Sequence, residues 1–302
     1  MKLLVQPDSG VAPLIAAIKR AKKSVEVAIF RFDIRELEKT LEAAVSRGVV
    51  VHALIAQTNQ GGAKLLRQLE MRLLEAGVTV SRTADDLVRY HGKYLVIDRA
   101  SLWVLGFNST HLDIFKSRSF GLVTTRRALV HEAAKVFDAD STRQPYESAS
   151  KDLVVSPANA RARLGTMIEA ARTQLLIYDP RISDAPMLRL IQERAKAGVD
   201  VRILGSVSGR GAGLRVEKLQ DLRLHVRAIV RDGIETFIGS QSLRGIELDR
   251  RREVGIVVRD RRIARQVQAV FEADWARRVE MSAKDARVSR DEAADAQPSP
   301  AL

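Results

Sequence analysis

Cysteine is absent from the 302 residues, and aromatic residues make up only 5% of them. The first absence excludes a disulfide framework and any thiolate metal site. The second leaves few of the stacking platforms that nucleic-acid channels usually offer to bases. Long apolar runs are missing too. No stretch approaches the length of a bilayer span, and the N-terminal MKLLVQPDSG holds an apolar run too short for a secretory signal. The expectation is a cytoplasmic protein whose membrane contact, if it has one, is peripheral and on the inner face.

Positive charge is what the chain has in excess. The formal net charge is +13, spread over both halves. That balance suits an anionic phospholipid or membrane surface, or nucleic acid, and equally a merely solvated surface. Hydrophobic residues at 46% are enough for one large domain or two modest ones.

The chain contains two copies of one pattern. IKRAKKSVEVAIFRF at 18–32 resembles IEAARTQLLIYDPRI at 168–182, each a helix end running into a strand. RGVVVHALIA at 47–56 resembles AGVDVRILGS at 197–206, each after an amphipathic helix. VFDADS at 136–141 matches VFEADW at 270–275, an offset of 134 residues. The same offset carries His91 onto His225, Lys93 onto Arg227, Asp98 onto Asp232 and Asn108 onto Ser242. The predicted organisation is α/β throughout, with one half over 1–145, a second over 146–280, and a charged, disordered tail over 281–302.

HGKYLVIDRASLWVLGFN at 91–108 reads as a strand hairpin. His91 and Lys93, two apart, share one strand face. With the turn centred on residues 99 and 100, His91 opposes Asn108 and Lys93 opposes Gly106. The three polar side chains then share a face, and Gly106 leaves space above the lysine. In the second half Ser240 stands at the position of Gly106. Alone, such a hairpin is most simply a surface feature and Asp98 a turn residue. Recurrence of histidine, cation, aspartate and small polar group at fixed spacing argues for a site.

Two such hairpins packed face to face bring two histidines and two cations to one centre, which is what phosphodiester transfer needs. A neutral imidazole attacks phosphorus and forms a phosphohistidine. The second, protonated, donates to the leaving oxygen and then takes a proton from the incoming water or alcohol. Lys93, Arg227 and the Asn108 amide hold the non-bridging oxygens, with Ser240 and Ser242 as further phosphate-binding candidates. The built-in cations make a metal or other cofactor unnecessary. One chain supplies both histidines, so the active unit is expected to be a monomer.

These residues resemble the phospholipase D superfamily, whose motif is HxKxxxxD followed by G(S/G)xN, present twice. Here it reads HGKYLVID with LGFN, and HVRAIVRD with GSQS. The resemblance covers about residues 1–280. It implies two similar α/β/α sandwich halves related by a pseudo-two-fold axis, with the active site between them, and the phosphohistidine route. It names His91, Lys93, Asp98, His225, Arg227 and Asp232 as the catalytic set. It also implies a histidine-orienting glutamate in each half. That residue is Glu253 in the second, while Ser119 stands at the matching place in the first. Leu105 replaces a motif glycine, Arg227 a lysine and Ser242 an asparagine. His91 is the better nucleophile by its intact lysine and asparagine. Glu253, expected beside His225, argues for the reverse.

The reading is a phospholipase D-like phosphodiesterase or phosphatidyltransferase acting on phospholipid, of the phospholipase D or cardiolipin synthase kind. A nuclease-type member acting on DNA or RNA is the alternative, and a non-catalytic phosphate-binding relative with eroded motifs the third. His52 and His131 read as structural, His111 as a surface loop residue, and DRRRE at 249–253 as a solvated face with Glu253 turned inward. The arginines in and after GSVSGRGAG at 205–213 could hold a substrate phosphate, though a loop is the plainer reading.

Overall fold

The structure is a computed structural model that describes residues 1–57, 63–208 and 213–277. Arg210 in the glycine-rich stretch and the tail after 277 lie outside the described residues.

Each half builds one seven-strand path with the same spatial order. In the first sheet it runs Thr79–Arg82, Val50–Ile55, Ser24–Ile29, Tyr94–Ile97, Ser101–Leu105, Ser117–Thr124, Lys2–Gln6. In the second it runs Arg215–Glu217, Asp200–Val207, Gln174–Ile182, Ala228–Arg231, Glu235–Gly239, Val254–Arg259, Leu153–Val155. The internal repeat therefore folds twice into one mixed-sheet topology. Residues 144–150, between the halves, form neither helix nor strand.

The two sheets share a core. Strand side chains alternate between faces, and the central strands are apolar on both. Tyr94, Val96, Leu102 and Val104 of the first sheet cluster with Tyr178, Ala228, Val230, Ile238 and Ile256 of the second. Helix Arg127–Thr142 and a helix over 261–277 complete this middle layer with Phe137 and Phe271. The alternate residues Leu95, Ile97, Trp103 and Leu105 pack outward in the first half, as do Ile229 and Phe237 in the second. Leu105, which stands for a motif glycine, is one of these core residues.

The aspartates of the repeated helix ends fasten the halves to one another. Asp274 takes a two-pronged contact from Arg118, at 2.9 and 3.0 Å, and a 2.6 Å bond from the Tyr178 hydroxyl. Asp140 takes 3.0 Å from Arg252 Nε. Both arginines are buried; in the DRRRE run Asp249 and Arg250 stay exposed, while Arg252 turns inward along with Glu253. Burial pushes Asp140 up to about 6, against the pull of Arg252.

Two short parallel strand pairs also cross between halves. Arg251–Arg252 pairs with Arg89–Tyr90, and Arg223–Leu224 with Ser117–Arg118. Each two-residue strand Arg89–Tyr90 and Arg223–Leu224 leads directly into a histidine. The His91 amide donates to the Arg252 carbonyl at 2.7 Å, and the His225 amide to Arg118 at 3.1 Å.

Candidate active site

The hairpin register differs from the expected one by a residue. Tyr94 pairs with Val104 and Ile97 with Ser101, so Lys93 stands opposite Leu105, whose amide bonds to its carbonyl at 2.8 Å. The turn causes this. Asp98 and Arg99 take φ of +55° and +47°, a primed turn that closes Ile97 onto Ala100. Asp232 and Gly233 repeat it at +52° and +62°. Gly106 is not open space above the lysine either. A Cβ there would meet the carbonyls of Phe120 at 2.8 Å and Gly239 at 3.1 Å, so the glycine admits backbone, including that of the other half.

The motif aspartates are far from the histidines. Seven residues of chain, four of them the strand Tyr94–Ile97, separate Asp98 from His91, at most about 23 Å at 3.3 Å per residue. The Asp98 carboxylate accepts the backbone N–H groups of Lys22, Lys23 and Ser24 at 2.6–3.1 Å. Asp232 does the same for Arg172, Thr173 and Gln174 at 2.8–3.2 Å. Burial raises both carboxyls, but the amide bonds outweigh it and hold them below the usual range. Their assignment as catalytic is corrected: they start the neighbouring strand of each sheet.

The Ser240 hydroxyl accepts from Val254 N at 3.1 Å, lies 3.3 Å from Val254 O and also hydrogen-bonds the Glu253 carboxylate, so it is engaged by the adjoining strand and by the glutamate beside His91.

The other candidates converge. His91, Asn108 and His225 line one cleft of about 400 Å³, with Arg89, Arg223 and Asp113. Lys93 Nζ lies 3.0 Å from both ring nitrogens of His91 and donates to its carbonyl at 2.7 Å. Arg227 Nε donates to the Ser242 hydroxyl at 3.2 Å, and its Nη1 to the His225 carbonyl at 2.9 Å. Burial, then the charges of Lys93 and Arg227, hold His91 well below the ordinary histidine value. Burial and Arg227 do the same to His225, against Asp113. Both rings are neutral near pH 7. Burial brings Lys93 down to about 7.

Glu253 lies against His91, not His225. Both its oxygens approach Nδ1, at 2.8 and 2.9 Å, and the carboxylate is fully buried. The crossing strands explain it. Glu253 follows Arg252, whose carbonyl holds the His91 amide, so each half supplies the neighbour of the other half's histidine. Burial pushes Glu253 up, with Lys93 opposing.

Residues 14–141 match the family model described as cardiolipin synthase, PLD-like domain. The fold is that of phosphatidylserine synthase from Haemophilus influenzae, at a TM-score of 0.69 and 12% identity over 97% of this chain and 94% of that one. It is also that of polyphosphate kinase from Porphyromonas gingivalis, at 0.75 and 18% over 91% of this chain. The chain spans 50% of that kinase. No curated protein matches the chain by sequence.

Over residues 14–141 the chain is similar to the phospholipase D-like family that this model describes. Against the pattern that resemblance to the superfamily implied, Asp113 and Arg223 were missed by motif reading. Asp113 is buried, accepts from Asn108 N and Nδ2 at 2.9 and 2.6 Å, and binds Arg223 at 2.7 Å. The repeat offset was the available signal. It pairs Asp113 with Glu247, which accepts from Ser242 N at 2.8 Å, and Arg223 with Arg89.

Of the remaining histidines, His52 binds Ser81 at 2.8 Å, while His111 is exposed at the start of a short helix and His131 is exposed on another. Among the described residues no cluster of histidine and carboxylates could hold a metal ion, and no helix is long and apolar enough to cross a membrane.

Proposed function

We propose that the chain cleaves or transfers phosphodiesters through a covalent phosphohistidine, with a phospholipid as substrate. The observation that carries this reading is that one histidine from each half lines the same cleft. With Nδ1 of His91 against Glu253, Nε2 is left to attack phosphorus. The N–P bond forms as the bond to the leaving oxygen breaks, and His225 gives that oxygen its proton. Water or an alcohol then attacks, the N–P bond breaks, and His225 takes the proton back. His225 is neutral in the empty site, but a bound phosphodiester brings the negative charge that favours its protonated form. Lys93, Arg227 and Asn108 stabilise the charge that builds on the non-bridging oxygens.

The cleft walls support a lipid. Phe32, Leu65, Leu66 and Leu112 line it together with Arg31, Arg89 and Arg223, and Leu65 and Leu112 stay 66% and 49% exposed. Apolar surface kept open beside a phosphate site suits a molecule with both a headgroup and acyl chains. The phosphatidylserine synthase fold and the cardiolipin synthase family model point the same way. Basic residues near an anionic bilayer would each add about 1 kcal/mol of attraction, which suits a peripheral protein. The net charge of +13 also supports the nuclease reading.

Product analysis separates the two. Phosphatidylglycerol vesicles should yield phosphatidic acid or cardiolipin, and His91→Ala should yield neither. Oligonucleotides shortened in a His91-dependent way, with no lipid turnover, would replace phospholipid by nucleic acid. Inertness on both would make the chain a binding protein.

A further inference from the structure

The two histidines are not served alike. The His225 amide bonds to Arg118, so the residue after Arg118 should hold the carboxylate that Glu253 supplies to His91. That residue is Ser119, fully buried, with a hydroxyl that has no partner. His225 Nδ1 is buried and also has no hydrogen-bond partner. The nearest carboxylate oxygen is Asp113 Oδ2, at 3.6 Å. It is too far for a hydrogen bond and close enough for a strong charge interaction.

What holds Asp113 off is visible. Its Oδ2 already accepts both the backbone and side-chain N–H of Asn108, at 2.9 and 2.6 Å. Its Oδ1 accepts from Arg223 at 2.7 Å. The Asn108 amide is also the group proposed to bind a substrate phosphate, and its Oδ1 is buried without a partner.

The geometry points to Asp113 as the positioning residue of His225, substituting from a different site in the chain for the glutamate that position 119 lacks, and engaging when phosphate draws the Asn108 amide away. A phosphate oxygen that takes the Nδ2–H of Asn108 frees a lone pair on Asp113 Oδ2. The Nδ1–H of His225 then closes the gap, which fixes the tautomer with Nε2 toward the leaving oxygen. When Nε2 gains its proton, the imidazolium pairs with Asp113. The general acid is thus assembled by substrate, while His91 is held ready in the empty site. The charges around His225 are Arg227, Asp113, Lys93 and Arg223; Asp113 alone among them favours its protonated form.

This inference rests on the proposed mechanism for its role in turnover, but its test does not need turnover. In protein labelled with 15N-histidine, the ring of His225, assigned with His225→Gln, is titrated with and without inorganic phosphate. Phosphate should raise the proton affinity of wild-type His225 and populate the Nδ1–H tautomer. In Asp113→Asn that affinity should fall about tenfold, and phosphate should no longer select the tautomer. Asn108→Ala, which leaves the carboxylate in place, should raise the affinity without phosphate. If wild type turns over phosphodiesters, Asp113→Asn should lower kcat about 100-fold with little change in KM, and adding Ser119→Glu should restore part of it. A His225 tautomer and affinity indifferent to both Asp113→Asn and Asn108→Ala would overturn the assignment. Should Asp113→Asn not fold, Asn108→Ala decides. A wild type inert on all phosphodiesters, with the ring titration as described, would sink the mechanism and keep the contact.

Discussion

The carboxylate of Glu253 and the Nδ1 of His91 lie 2.8 Å apart, 162 residues away from each other in the chain. In the proposed mechanism this pair favours His91 as the nucleophile, because a buried carboxylate on one ring nitrogen directs the other toward substrate. Glu253→Gln keeps the shape and removes the charge. It should cost about 10²–10⁴ in kcat, as loss of a tautomer-fixing carboxylate does. Rapid mixing should show that the step lost is the burst of first product. An unchanged burst with slowed second-step hydrolysis would assign Glu253 to His225 instead.

Lys93 should set a basic limit to activity. Burial brings its ammonium down to about 7, so kcat/KM for the free enzyme should decline as pH rises through that value. Arginine at this position stays charged, and Lys93→Arg should flatten the decline if the larger head fits. Stability should move the other way. The folded value lies below that of an unfolded lysine, near 10.4, so between the two the unfolded chain binds the extra proton and stability from this group rises with pH. Denaturant melts at pH 6, 8 and 9 of wild type and Lys93→Met read that slope.

Asp98→Ala and Asp232→Ala should behave as folding variants. Each removes a carboxylate that holds three backbone amides, and each should cost about 1–2 kcal/mol. The kcat of the remaining folded protein should stay within about twofold, since neither carboxylate lies near the histidines. Both folded values are depressed, so the contribution is full above the unfolded value near 3.9 and fades as pH falls below it. A hundredfold loss of kcat at unchanged stability would return these aspartates to the chemistry.

His91→Ala and His225→Ala should each abolish turnover, because nucleophile and acid act as a unit. Both histidines line one cleft of one chain. Mixing the two variants should therefore recover nothing. Recovered activity would mean that the site forms between chains.

Much of this was legible in the sequence because it is local or periodic. The 134-residue offset carried the two-copy architecture, and the histidine and cation spacing carried the centre. Placement of Glu253 was not legible. It depends on Arg251–Arg252 pairing with Arg89–Tyr90, a contact that no local pattern encodes. The one-residue register error came from the left-handed pair Asp98 and Arg99, which moves the turn without altering the hydrophobic pattern. Asp113 escaped because the motif looks for a carboxylate at 119. Applied to every polar residue, the offset would have shown Asp113 and Glu247 as partners.

The crossing strand pairs carry one more consequence. Each half furnishes the surroundings of the histidine that belongs to the other. In a symmetric homodimer the two rings would be chemically identical, and a mutation would alter both. In a fused duplicate, a change at 119 touches His225 alone and a change at 253 touches His91 alone. Glutamate at one address and serine at the other makes the two imidazoles unlike. That division of labour is closed to two identical copies.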